Sequence, residues 1–342
     1  MEDNGNRKKR FLLFDTQREG KGVEKSSIET KPNLKRFFRL YGTNLSKLLS
    51  LNILIILGNF PLIFAVLSMS DLLMESFMTP MSDLYPIFRA VLLSKETLSP
   101  SDLVLIGIDG LQVADSARTL ANYIFWGVSV LDIFLFGITN VGVAYVTRNI
   151  IMGEPVFVFS DFIYAIKRNW RQALPFGIVD FLICLILPLN IVVLLSNQSS
   201  FLNSLFLWTN VVIAIFYFFM RFYFYVQMVT FDLKIKKIVK NSLIFSLLGI
   251  KRNLMALLGI LVLVILNMLF LFGFNGMLLP LGVAFPFLIL FAHGSFMATY
   301  ASYYKIKEIM IDPYYENLEN EQSDTEDNSD SIEPDDSDFE TE

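Results

Sequence analysis

Three charged side chains, Asp132, Asp180 and Arg221, and the chain's one histidine, His293, lie inside long apolar runs. A charge in hydrocarbon is costly, so such residues pair, line a cavity, or carry protons and solutes. Asp180 stands nine residues beyond Arg171, ~14 Å of helix from the inner edge of its run. Arg221 stands eleven residues before Asp232, ~17 Å from the same edge. Only about eight residues join the two runs, so an Asp180–Arg221 ion pair at matched depth is expected. It either holds two helices together or forms part of a polar pathway. Asp132 has no basic partner at its depth. Ser129 and Thr139 share its face and Asn140 lies near. A protonated, hydrogen-bonded carboxyl and a carboxylate lining a water-filled cavity both fit.

The same inventory argues against bond-making chemistry. One His and one Cys (Cys184) leave nucleophilic and metal mechanisms without their usual residues. H-E-x-x-H, G-x-S-x-G and a Walker loop are all missing, and the GKG at 20–22 lacks the required spacing. His293 reads as a satisfied interior histidine rather than a ligand. No enzyme, no cofactor and no metal site are expected.

The elements that must position these residues are apolar runs at about 48–69, 120–147, 173–195, 204–229, 253–275 and 278–303. Each reaches the ~20 residues that a helix needs to cross ~30 Å of hydrocarbon. Lys and Arg are segregated around them: twelve precede the first run, four lie at 148–172, six at 230–252, and Lys305 and Lys307 follow the last. The opposite side holds only Arg89, Lys95 and Arg118. The positive-inside rule therefore places both termini of a multi-pass membrane protein in the cytoplasm. The composition agrees, at 54% hydrophobic with 33 Phe.

The segments outside the runs differ in character. Residues 1–47 form a basic cytoplasmic segment, suited to anionic lipid rather than nucleic acid. Residues 308–342 form an acidic tail expected to be disordered, with thirteen Asp or Glu from 313 on. The outer insertion at 70–119 carries short apolar stretches at 84–93 and 103–113, expected as amphipathic helices on the outer leaflet or capping the bundle. The prolines of Asn59-Phe60-Pro61, Pro188 and Pro286 are expected to kink or end helices.

The inner loops repeat. KRNW at 167–170 precedes the third run and KRNL at 251–254 the fifth, an offset of 84 residues that also superposes the second run on the fourth. An amphipathic stretch precedes each copy. In the first, Ser160-Asp161 suggests an N-cap, with Phe162, Ile163, Ile166 and Trp170 on one face. In the second, apolar residues alternate with Lys234, Lys236, Lys237 and Lys240. A third copy opens with the basic, aromatic helix at 35–41. The expectation is an all-α integral membrane protein whose six transmembrane helices form three hairpin repeats with cytoplasmic interfacial helices. Asp161, Phe162, Lys167, Asn169, Trp170, Lys240 and Asn241 are the candidates for docking a partner.

These motifs carry a resemblance. GITNVGVAYVTR at 137–148, FSDF at 159–162, KRNWRQ at 167–172 and GIVD at 177–180 resemble segments of the YesL-like bacterial membrane proteins, a Firmicutes family of unknown function. GKGVEK at 20–25, Lys240-Asn241 and DPYYE at 312–316 are further likenesses. The family's G-P-A-T-A stands here as GITNV at 137–141, and the acidic tail is an addition. The resemblance implies the six-span topology and an association with carbohydrate uptake, with no catalytic residues. Two readings follow: an accessory component beside a carbohydrate ABC importer, docked through the interfacial helices, or a small-solute transporter using Asp132, Asn140, Asp180, Arg221 and His293.

Overall fold

In the computed structural model the described residues are 32–70, 73–80, 82–196, 200–273 and 276–315. The basic stretch before residue 32 and the acidic tail from 316 lie outside them. Helix α1 (Leu34–Thr43) belongs to a unit that ends at Thr43, and the second unit begins at Asn44. Within its own unit, α1 is capped by Asn33, whose Oδ1 accepts from the Arg36 N–H at 2.7 Å. None of its side chains is buried.

The second unit is helical because hydrocarbon offers backbone groups no other partner than one another. Its helical runs Leu120–Met152, Val158–Ser196, Phe201–Thr230, Ile250–Phe272 and Leu279–Tyr315 are each long and apolar enough to cross a membrane. The first expected span is divided. Its pieces are α2 (Leu45–Gly58) and α3 (Pro61–Met69), broken at Asn59-Phe60 with Pro61 opening the second. Neither piece is long enough by itself, so five helical runs, or up to six if a bent pair counts as one span, could cross a membrane among the described residues. The second run is likewise α6 (Leu120–Ser129) followed by α7 (Asp132–Met152).

The outer insertion differs from its expectation. Between α3 and α6, strands β1 (Met74–Pro80) and β2 (Gln112–Arg118) pair antiparallel, with Met74 opposite Arg118 and Pro80 opposite Gln112. The hairpin encloses α4 (Tyr85–Leu93) and α5 (Pro100–Asp109). The helix expected to reach 113 therefore stops at Asp109, and its last residues join β2. A capping box starts α5: Ser99 Oγ accepts from the Asp102 N–H, and Asp102 accepts from the Ser99 N–H. The Ser99 backbone N–H and then its hydroxyl hold the Asp102 carboxyl below its usual range, with Lys95 at 3.2 Å assisting. This stabilisation is present above the ordinary carboxylate range and fades as pH falls through the lowered value.

Helix α8 (Val158–Ser196) joins the expected interfacial helix and third span in one element of 39 residues, with Pro175 and Pro188 inside it. The second copy of the proposed repeat is not continuous: α9 (Phe201–Thr230) leads to α10 (Ile235–Leu248), which breaks at Gly249 before α11 (Ile250–Phe272). α7 and α8 meet backbone to backbone. A Cβ on Gly137 would strike the Ala173 carbonyl and Gly177 Cα, and one on Gly142 would strike the Phe162 ring. Small residues permit this approach, which replaces the hydrophobic drive that lipid does not supply. The last third of α9, from Phe222 to Val229, is buried all round.

Buried amides join the remaining helices. Asn122 Nδ2 of α6 donates to the Ser68 carbonyl of α3 at 2.8 Å. Tyr223 OH of α9 donates to Asn253 Oδ1 of α11 at 2.9 Å. Asn267 Nδ2 donates to the Gly282 carbonyl at 2.7 Å, joining α11 to α12 (Leu279–Phe285). Pro286 then opens a π-helical turn, Pro286–Leu290, before α13 (Phe291–Ile306). Proline and the widened turn leave backbone groups over. Asn52 of α2 takes three of them: its Nδ2 donates to the Pro286 and Phe287 carbonyls at 2.9 and 2.7 Å, and its Oδ1 accepts from the Ala292 N–H at 2.8 Å. Asn52→Leu keeps the volume and strands those groups in a dry site. A loss of about 1–3 kcal/mol is expected, read as a lower unfolding midpoint in micelles.

Candidate functional site

Tyr217, Arg221 and Tyr225 recur at four-residue spacing, so they form one stripe of α9. The stripe faces Asp180 of α8, which is fully buried. Arg221 Nε lies 3.0 Å from Asp180 Oδ1 and 3.2 Å from Oδ2. Tyr217 OH donates to Oδ1 at 2.7 Å and Tyr225 OH to Oδ2 at 2.6 Å. Cys184, one turn along α8, brings its Sγ to 3.6 Å from Oδ1. The carboxylate thus has a donor on each oxygen beyond its cation, the condition under which a buried ion pair is tolerated. On the other side, the Arg221 guanidinium carbon lies 5.2 Å from the centre of the Phe136 ring.

Arg221 is not sealed in. Its side chain is 23% exposed and opens on a cavity of about 230 Å³ between α7, α9, α11 and α13. Asn140, Ser295 and Thr299 provide polar lining, and Phe218, Phe222 and Ile260 provide apolar walls. Thr299 Oγ1 lies 3.0 Å from Thr147 Oγ1, which fixes α13 against α7. Gly294 lines the cavity without a side chain.

The structure brings Asp180, Arg221 and Asn140 to one place. Asp132 and His293 are not among the cavity's lining residues. Asp132 sits in the first turn of α7, fully buried, and neither carboxylate oxygen has a hydrogen-bond partner among the described residues. The neighbours expected to serve it are engaged elsewhere or packed away: Ser129 Oγ donates to the Trp126 carbonyl, Asn140 Nδ2 to the Phe136 carbonyl, and Thr139 packs on Gly58. His293 is buried, with Nδ1 2.6 Å from the Ile289 carbonyl of the π-helical turn.

The docking candidates divide. Lys167, Trp170 and Lys240 are exposed, Trp170 at 49%, with the Arg171 guanidinium over its ring at 5.6 Å. Asn169 and Asn241 are half-buried. Phe162 is corrected to a core residue, because the notch over Gly142 takes its ring. Asp161 lies inside the first turn of α8 rather than before it, and its Oδ2 accepts from the Phe157 N–H at 3.0 Å. Close by, Arg168 Nη2 and Arg148 Nη1 donate to the Val229 carbonyl at 2.6 and 3.1 Å. Two cations thereby close the C-terminal end of α9, where the helix dipole is negative.

Residues that the sequence reading passed over complete the cluster. Tyr217 and Tyr225 were legible as the positions four before and four after an intramembrane arginine. Gly294, Ser295 and Thr299 were not, because they lie on α13 and only the packing brings them to Arg221.

Compared with known proteins, residues 119–191 match a family described as "Protein of unknown function, DUF624". The matched stretch holds α6, α7 and most of α8, and with them Asp132, Asn140 and Asp180. It contains neither Arg221 nor the α13 wall. No curated protein and no solved structure matches the chain.

Proposed function

We propose that this membrane protein holds a small solute beside Arg221 and carries it across the bilayer. One observation supports the reading above the others: an arginine at membrane depth is held through Nε by Asp180, keeps a partly exposed side chain, and lines a cavity. A pair that only joined α8 to α9 needs no such opening, since exposing donors to hydrocarbon is unfavourable. In this reading both termini face the cytoplasm and the basic inner face meets anionic lipid. The experiment is uptake of labelled sugars, amino acids and organic acids into proteoliposomes. At least one class accumulates with the wild-type protein, and Asp132→Asn abolishes that accumulation, since the amide keeps the shape but cannot exchange a proton. No accumulation of any class sinks the reading.

Asp132→Asn is also expected to fold at least as well as the wild type. An amide costs less to bury without partners than a carboxylate does. An unfolding midpoint lowered by several degrees would contradict this.

The second reading is an accessory component beside a carbohydrate ABC importer. The exposed Trp170, Lys167 and Lys240 favour it, as side chains free to meet a partner at the inner face. Stoichiometric recovery of an ABC permease in gentle detergent, lost on Trp170→Ala, supports it. An accessory protein also stays assembled and effective with Asp132→Asn. Recovery of the protein alone contradicts it.

A further inference from the structure

The chemistry of the cavity wall restricts what fits there. Arg221 carries five N–H donors, of which Nε is engaged by Asp180. The four on Nη1 and Nη2 have no acceptor among the described residues, and the partly exposed side chain lines the cavity. Asp180 does not need them, because Tyr217 and Tyr225 already occupy its two oxygens. No Asp or Glu among the described residues lines the cavity. Asn140 has turned its donor to the Phe136 carbonyl, and Thr299 is linked to Thr147.

An occupant must therefore bring acceptors, and a planar pair of them matches the guanidinium fork. The rest of the wall is apolar, with Phe218, Phe222, Ile260 and Val264. A volume of about 230 Å³ is that of roughly eight waters at ~30 Å³ each. A polyol would bring more hydroxyl donors than Asn140 Oδ1 and Ser295 Oγ can accept, and a cation would face Arg221.

We infer that the cavity is a carboxylate site, in which the Nη atoms of Arg221 hold the head of a small organic acid and the apolar walls hold its body. The inference rests on the solute reading above and names the class of solute.

Protein in lipid nanodiscs is titrated with acetate, propionate and benzoate, and in parallel with benzamide and benzylamine, following the unfolding midpoint. Benzoate raises the midpoint with saturating dose dependence, while benzamide and benzylamine leave it unmoved. Gly294→Leu, whose Cβ meets nothing nearer than Ile260 at 3.8 Å, fills the cavity and removes the benzoate response. Arg221→Lys keeps a cation for Asp180 but loses the fork, so benzoate binds about tenfold more weakly. If none of the three acids moves the midpoint, or benzamide matches benzoate, the inference is overturned. The solute reading then survives only if the proteoliposomes accumulate a neutral or cationic solute, and falls if they accumulate nothing.

Discussion

Asp180→Ala lowers the stability of the membrane domain by about 3–5 kcal/mol, the cost of breaking a buried ion pair by removing one partner. Arg221 is left charged at membrane depth, and the hydroxyls of Tyr217 and Tyr225 lose the oxygens on which they converge. Asp180→Asn retains an acceptor for one tyrosine and no counter-charge for the arginine, so it falls between Ala and wild type. The double substitution Asp180→Leu with Arg221→Met recovers most of the loss, because an apolar pair of similar volume has no charge to strand. Unfolding midpoints of the four proteins in one micelle rank them. A double variant no better than Asp180→Ala would mean that the loss comes from packing rather than charge.

Gly137→Val separates α7 from α8. The new atoms would meet the Ala173 carbonyl and the backbone of Gly177, which cannot move aside as a side chain can. Overpacking costs about 1–3 kcal/mol where side chains can adjust, and more is expected against backbone. Other glycines of the same helical run supply the scale. Gly142→Ala meets the Phe162 ring, which can shift, and Gly127→Ala meets nothing within 4 Å. The expected order of damage is Gly137, then Gly142, then Gly127, the last gaining up to about 1 kcal/mol from helix propensity. Monodispersity and unfolding midpoint in detergent rank them. Equal damage at Gly137 and Gly127 would remove the glycine seam from the account.

The membrane character of the chain was open to reading from its apolar runs, and the depth argument brought Asp180 to Arg221 across a short connection. Both rest on local quantities, run length and residues counted along a helix. The break at Asn59-Phe60 was signalled by Pro61, yet Pro175 and Pro188 interrupt nothing in α8. Whether a helix continues past proline depends on what neighbouring helices offer the freed carbonyl, which a single run does not reveal. The β1–β2 ribbon was invisible for another reason: MESFMTP and QVADSAR lack the alternation of a half-buried strand, and β2 is exposed throughout. Asn52 is, in the sequence, one polar residue in an apolar run. Its role depends on the π-helical turn more than 230 residues away. The wall supplied by α13 was hidden in the same way.

The most direct measurement on the central claim is the water accessibility of Ser295, at the cavity wall. In a Cys184→Ala background, Ser295→Cys supplies the chain's one thiol, whose reaction needs thiolate and therefore water. A cavity that holds a polar solute predicts rapid labelling in liposomes by the small anionic reagent 2-sulfonatoethyl methanethiosulfonate, slowed by benzoate. No labelling by that reagent until the protein is unfolded would make the cavity a lipid-filled seam and contradict the account.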